Sequence, residues 1–236
     1  MNLLRFEEVQ KLRVELSIII PVYNGEKTII DTLESIILQG EEDYEVLIID
    51  DGSTDNTSNV VKKFIESNKR FNYYYQKNQG VSMSRNNGIK LAKGRYICFL
   101  DSDDSYEEKF ISKMLYRVNT SENDVVFCGY YTDDLNGKKI KKTKFDTKRI
   151  LENYILGRNA IHTNCWVLRR QFVLEKRLFF QKGVNWGEDF EFFCEVLLKT
   201  SKVCSVKEYL TTYKLLTTLT SCQHLILQRL MMTIIQ

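Results

Sequence analysis

Proline is almost absent from this 236-residue chain, which carries one, Pro21. That scarcity excludes proline-rich linkers and collagen-like repeats. Histidine is nearly as rare. His162 and His224 stand far apart and no Cys-x-x-Cys pair accompanies them, so no zinc site is expected. The six cysteines (Cys98, Cys128, Cys165, Cys194, Cys204, Cys222) are widely spaced and mostly sit in apolar contexts such as YICFL and VVFCGY. They read as small buried hydrophobes of a reducing compartment, not as a disulfide framework. No stretch approaches the ~20 apolar residues of a membrane span. The N-terminal MNLLRFEEVQKLRVE is charged throughout and lacks a signal-peptide core. Neither G-x-G-x-x-G nor a P-loop occurs, which excludes dinucleotide-dependent oxidoreductases and P-loop enzymes. The expected location is cytoplasmic, free or peripheral on the cytoplasmic face of a membrane.

What is present is an ordinary globular composition, 43% hydrophobic and 28% charged. The 34 basic and 31 acidic residues leave a formal charge of +3, which gives no whole-chain case for nucleic-acid binding. Charge is nevertheless uneven: residues 130–182 hold 13 Lys/Arg against 5 Asp/Glu.

The first hundred residues alternate strand-like and helix-like patterns. Leu16–Asn24 is a nearly continuous apolar run, as expected of a strand buried on both faces. Residues 27–39 carry Ile29, Leu33, Ile36 and Ile37 at helical spacing. Tyr44–Asp50 is a second strand. Ser53, Thr54 and Asp55 can cap the helix that follows it. Phe71–Gln76, a helix over Val81–Ala92, and Tyr96–Leu100 complete a β-α-β-α-β-α-β succession. That order predicts an α/β fold with a mostly parallel sheet covered by helices on both faces. The second half reads as a helix over Lys109–Val118, a strand over Asp124–Tyr130, and a tight turn at Asn136-Gly137. An edge strand over Asn164–Leu168, a helix over Asp189–Leu198 and a short strand over Lys202–Val206 follow. The expected organisation is one compact body with two functional lobes, residues 1–105 and 106–236.

Carboxylates stand where such a sheet binds ligands, outside the carboxyl ends of its strands. The first strand ends at Pro21–Asn24, the second at Asp50–Asp55 (DDGSTD), the fourth at Asp101–Asp104 (DSDD). Converging like charges need a cation, a shared proton or polar ligand groups between them. Asp101 and Asp103, two apart, can aim at one volume and suit magnesium or manganese, whose coordination is completed by substrate phosphates.

The consecutive segments IIIPVYN, LIIDDGSTDNT and NQGVSMSRNNGIKLAKGRYICFLDSDD, with a later GED, resemble the signature of family 2 glycosyltransferases. These are inverting, nucleotide-diphospho-sugar-dependent enzymes with the GT-A fold. The resemblance covers about the first 105 residues and continues more weakly to about residue 215. It implies that Pro21, Val22 and Tyr23 wall a nucleobase pocket, with Asn24 in the same donor-binding segment. Asp51 would accept the base N3–H, which makes a UDP-sugar the default donor. Arg85 would lie near base and phosphates, its bland alternative being a helix-surface ion pair, and Gly80 and Gly88 would allow close backbone approach. Asp101 would hold the ribose or a metal-bound water, and Asp103 would ligate Mn2+ or Mg2+. In the GED segment Asp189 would be the general base, with Glu188 orienting sugar hydroxyls. Trp186 reads either as a sugar platform or as core.

Two departures from the family pattern follow. A basic or histidine position after the base is lacking, and Lys214 is the nearby candidate for the diphosphate. The sequence also ends soon afterwards, so transfer of one sugar per turnover is expected rather than processive synthesis. The basic residues Lys138, Lys139, Lys141, Lys142, Lys144, Lys148 and Arg149, with the apolar Leu225–Ile235, fit a lipid-linked saccharide acceptor at the inner membrane face. A solvated loop and a C-terminal helix packed on the body or on a second subunit of a homodimer remain the alternatives. Two rival functions are weighed. A sugar nucleotidyltransferase needs a Gly-rich basic loop where PVYNGEKT stands; a binding partner without turnover would have lost the acidic motifs that are intact here.

Overall fold

The computed structural model describes residues 14–41, 43–120, 122–184 and 186–215. Cys222, His224 and the Leu225–Ile235 segment lie outside the described residues.

Four parallel strands carry the first half: β1 (Leu16–Val22), β2 (Tyr44–Asp50), β3 (Phe71–Tyr75) and β4 (Tyr96–Phe99). They are joined by α1 (Ile29–Ile37), α2 (Thr57–Ile65) and α3 (Val81–Leu91) and lie in the order β3-β2-β1-β4. Every residue of β1 and β2 is buried, as their unbroken apolar runs predict for strands covered on both faces. Ser17, a polar residue within β1, is satisfied internally. Its hydroxyl donates to Glu45 Oε1 at 2.7 Å and accepts from the Gly94 N–H at 2.8 Å.

The second half extends the same sheet with mixed pairing. Its elements are β5 (Ser105–Tyr106), α4 (Phe110–Thr120), β6 (Val125–Asp134), β7 (Gly137–Lys141) and α5 (Ile150–Ile155). A 3-10 turn (Thr163–Cys165), β8 (Trp166–Arg169), α6 (Arg170–Glu175), α7 (Glu188–Lys199) and β9 (Val203–Lys214) follow. The nine-stranded sheet runs β3-β2-β1-β4-β8-β6-β9-β5, with β7 paired to β6. Among the described residues no helix is long and apolar enough to cross a membrane.

Three expectations are corrected. The strand expected at the edge, β8, is interior: it pairs antiparallel with both β4 and β6, and its Trp166 is fully buried. The hairpin turn is Leu135-Asn136, with Gly137 at φ 91° opening the return strand. The short strand expected over Lys202–Val206 is the twelve-residue β9, which bulges against β6: while β6 advances from Phe127 to Asp133, β9 advances from Ser205 to Lys214. The basic run starts as the exposed strand β7, where Lys138 pairs with Glu107 and Lys139 with Asp134. Cys98, Cys128, Cys165 and Cys204 are buried and Cys194 is half-buried.

Gly88 sets the distance between α3 and β1, since a Cβ there would stand 2.3 Å from Ile19 Cγ2. Gly88→Ala is expected to lower stability by about 1–3 kcal/mol through overpacking. Urea unfolding measures it, and a midpoint equal to wild type would refute the close-packing account.

Candidate active site

The loops after β1, β2 and β4 meet at one cleft of about 210 Å³, lined by Pro21, Val22, Tyr23, Asp51, Val81, Ser84, Asp101, Ser102 and Asp103. Tyr23 is 52% exposed at this cleft, a free aromatic face. A larger groove of about 560 Å³, at the other end of the strands beside Tyr44, Arg70 and Lys93, holds none of the converging acids. Chemistry, not volume, marks the smaller cleft.

Each motif residue has a definite local role. Asp50 is buried and structural, accepting from Ser53 N and from the Tyr73 hydroxyl. Asp51 holds the start of α3: Oδ1 accepts from Gln79 N and Gln76 Nε2, and Oδ2 from Gly80 N at 2.8 Å. One acceptor position on Oδ2 is left over by these bonds. Gly80 is required by its φ of 89° rather than by close approach, because nothing lies within 4 Å of a Cβ there. Asn24 braces the neighbouring loop through Oδ1, which accepts from Thr54 N at 2.8 Å, and it does not line the cleft. The residue at the cap of α2 is Asn56, not Ser53, Thr54 or Asp55, and it makes no side-chain cap bond; Asp55, one residue earlier, accepts from Thr57 N at 3.0 Å.

Arg85 is not on the surface. Its side chain is 4% exposed; Nη2 lies 2.8 Å from Asp101 Oδ1 and Nη1 2.9 Å from Glu188 Oε1. Asp101 of the cleft and Glu188 of the GED segment, far apart in sequence, thus share one guanidinium. Asp189, beside Glu188 in the first turn of α7, accepts from the Thr163 hydroxyl at 2.7 Å and from Phe190 N at 2.7 Å. Trp186 and Phe190 flank it on the outside, 59% and 43% exposed, which removes the core reading for Trp186. Lys214 reaches the rim, with Nζ 3.5 Å from Asp31 Oδ2.

Charge crowding shifts the acids unequally. Burial pushes Asp101 up, but Arg85 and then His162 outweigh it and hold the carboxyl below its ordinary value. Asp103 is pushed up by burial and by the charge of Asp101, against the pull of Lys214. Asp104, fully buried, is pushed up to about 8 by burial, then by Asp101 and Asp103. Its oxygens accept from Lys214 N at 2.8 Å and Asn164 Nδ2 at 2.5 Å.

The sequence reading missed His162, Thr163 and Asn164. Antiparallel pairing sets Cys98 opposite Val167, so three residues on, Asn164 faces Asp101 and accepts from its N–H at 3.1 Å. A polar HTN triplet before the apolar CWVL was the available signal, legible only once β8 is known to lie beside β4. His162 stacks on Tyr213 with ring centroids 4.5 Å apart. Burial pushes it down, against the pull of Asp101 and Asp189.

The donor set fits a hard divalent cation. Carboxylate oxygens dominate it, no thiolate takes part, and Asp103 is raised by burial and then by the charge of Asp101, both of which a cation would offset. Asp101, Asp104 and His162 also bring potential ligand atoms within 4.8 Å of one another.

This sheet and the cleft at its strand ends define the GT-A fold. The chain belongs to glycosyl transferase family 2, whose pattern residues 17–185 match. It is 26% identical over 207 residues to the uncharacterized glycosyltransferase EpsJ of Bacillus subtilis, covering 84% of this chain and 60% of that protein. It is 28% identical over 211 residues to glycosyltransferase GlyG of Streptococcus pneumoniae, covering 84% and 70%. The crystal structure of a Staphylococcus aureus TarS fragment in complex with UDP-GlcNAc superimposes with a TM-score of 0.75 at 23% identity, covering 86% of this chain and 59% of that one. The chain therefore spans about three fifths of EpsJ and of that fragment.

The Asp104 shift fixes a sign for stability in cation-free protein. The folded carboxyl keeps its proton to about pH 8, whereas an unfolded one releases it near 3.8. Its stabilising contribution is whole below that lower value and is lost as pH rises through about 8. Asp104→Asn is expected to flatten this decline. Thermal melts at about pH 5 and about pH 8.5 measure it, and equal slopes in variant and wild type would refute the assignment.

Proposed function

We propose that this chain is an inverting glycosyltransferase that moves one sugar from a UDP-sugar to a hydroxyl of a saccharide or lipid-linked saccharide acceptor. The observation that carries the reading is the convergence at Arg85, which brings Asp101 of the cleft together with Glu188 and Asp189. The donor lies in the cleft, its base beside Tyr23, Pro21 and Val22 and its N3–H donated to the remaining Asp51 acceptor. Uracil offers that donor and cytosine does not. Residues 1–105 act as the donor lobe and residues 106–236 as the acceptor lobe.

Asp189 accepts the proton of the acceptor hydroxyl while that oxygen bonds to the anomeric carbon. The bond from that carbon to UDP breaks on the opposite side, its electron pair leaving with UDP, so configuration inverts. Thr163 and the Phe190 N–H fix the carboxylate for this step. Glu188 orients sugar hydroxyls, and the exposed ring of Trp186 offers an apolar platform to the acceptor sugar. Asp103 and Asp101 would hold Mn2+ or Mg2+, which neutralises charge on the departing diphosphate when bound. Lys214 adds positive charge at the same rim. The exposed basic β6–β7 hairpin supports peripheral contact with anionic lipid at the cytoplasmic face, and a homodimer through the C-terminal segment is the other use of its apolar residues.

Calorimetric titration with UDP, GDP, CDP and ADP, with and without manganese, tests the donor. Tight binding of UDP alone, lost without metal or in Asp103→Ala, is expected; equal or absent binding of all four would overturn the reading. Asp189→Asn is expected to lower kcat by about 10²–10⁴-fold with UDP affinity unchanged. Full turnover by that variant would remove Asp189 from the base role.

A further inference from the structure

Both terminal nitrogens of Arg85 are committed to carboxylates on different parts of the site. Nη2 holds Asp101, just past β4, and Nη1 holds Glu188 at the start of α7. The guanidinium also lies over the Phe180 ring, 5.2 Å from its centroid, and the side chain is 4% exposed. Arg85 does not line the cleft, whereas Asp101 does. A ligand that draws on the charge of Asp101 therefore draws on the same guanidinium that anchors Glu188.

We propose that Arg85 is a positioning residue that couples Asp101 to Glu188, so that ligand binding at Asp101 resets the first turn of α7 and with it Asp189. The inference rests on the donor reading above. Positive charge arriving at Asp101 weakens its hold on Nη2 and leaves Nη1 more strongly on Glu188. Because coupling is reciprocal, changes at residue 188 alter affinity at Asp101 without touching the ligand.

The signs are opposite for two substitutions. Glu188→Gln leaves Arg85 wholly to Asp101, so magnesium affinity should fall, by about fivefold. Arg85→Met leaves both carboxylates uncompensated, so magnesium affinity should rise by about as much, while kcat falls and KM for the donor changes little. Direct charge effects share these signs, so the movement of α7 decides between them and coupling. Arg85→Lys keeps the charge but not the fork, and it serves if the methionine variant fails to fold.

Movement of α7 is read at Trp186, which is exposed two residues before Glu188 and is one of two tryptophans, the other being the buried Trp166. With 5-fluorotryptophan, the 19F resonance of Trp186 should shift in wild type on addition of magnesium with UDP and stay fixed in Arg85→Met that still binds them. A shift retained in every Arg85 and Glu188 variant, or affinities moving in the same direction, overturns the coupling. Binding of magnesium without UDP defeats the donor reading alone, since the shift with magnesium then still decides the coupling. Binding of neither defeats both.

Discussion

Five carboxylates crowded into one site, two of them paired to the buried Arg85 guanidinium, set the terms for everything near it. Asp101, Asp103, Asp104, Glu188 and Asp189 come from two segments of the chain, and Arg85 can neutralise only part of their charge. Buried charge without a partner is costly, so the rest must be met by hydrogen bonds, retained protons or incoming positive charge. Asp104 shows the first two remedies, with bonds from Lys214 N and Asn164 and a raised pKa. Asp103, facing the cleft, is where the third can act.

The position of this cluster follows from how the two halves of the sheet join. Parallel strands β1, β2 and β4 deliver their carboxyl ends to one side, as the βαβ succession requires. β8 then enters antiparallel beside β4, so its beginning lies next to the end of β4. That reversal places His162, Thr163 and Asn164 among the acids.

Legibility tracked the same boundary. The unbroken apolar runs of β1 and β2, the helix starts, and DSDD at a strand end could be read residue by residue, because local patterning and the family resemblance agreed. Arg85 was visible as a site residue, but its two ion pairs were not, since Glu188 is 103 residues away. β8 was expected at an edge because four apolar residues carry no information about how many neighbours they have. The length of β9 was hidden by its exposed Lys207 and Glu208, which interrupt the apolar pattern where the strand bulges.

That bulge has a consequence of parity. Side chains alternate along a strand, so an even number of extra residues would leave the two ends of β9 in phase and an odd number puts them out of phase. Between its pairings with Phe127 and Asp133, β9 spends nine steps where β6 spends six. The end of β9 that packs the core and the end that reaches the acids are therefore half a period apart. Past the offset, Tyr213 stacks its ring against His162. The face β9 shows to the site is thus chosen in the interior of the sheet, several residues before the strand arrives there.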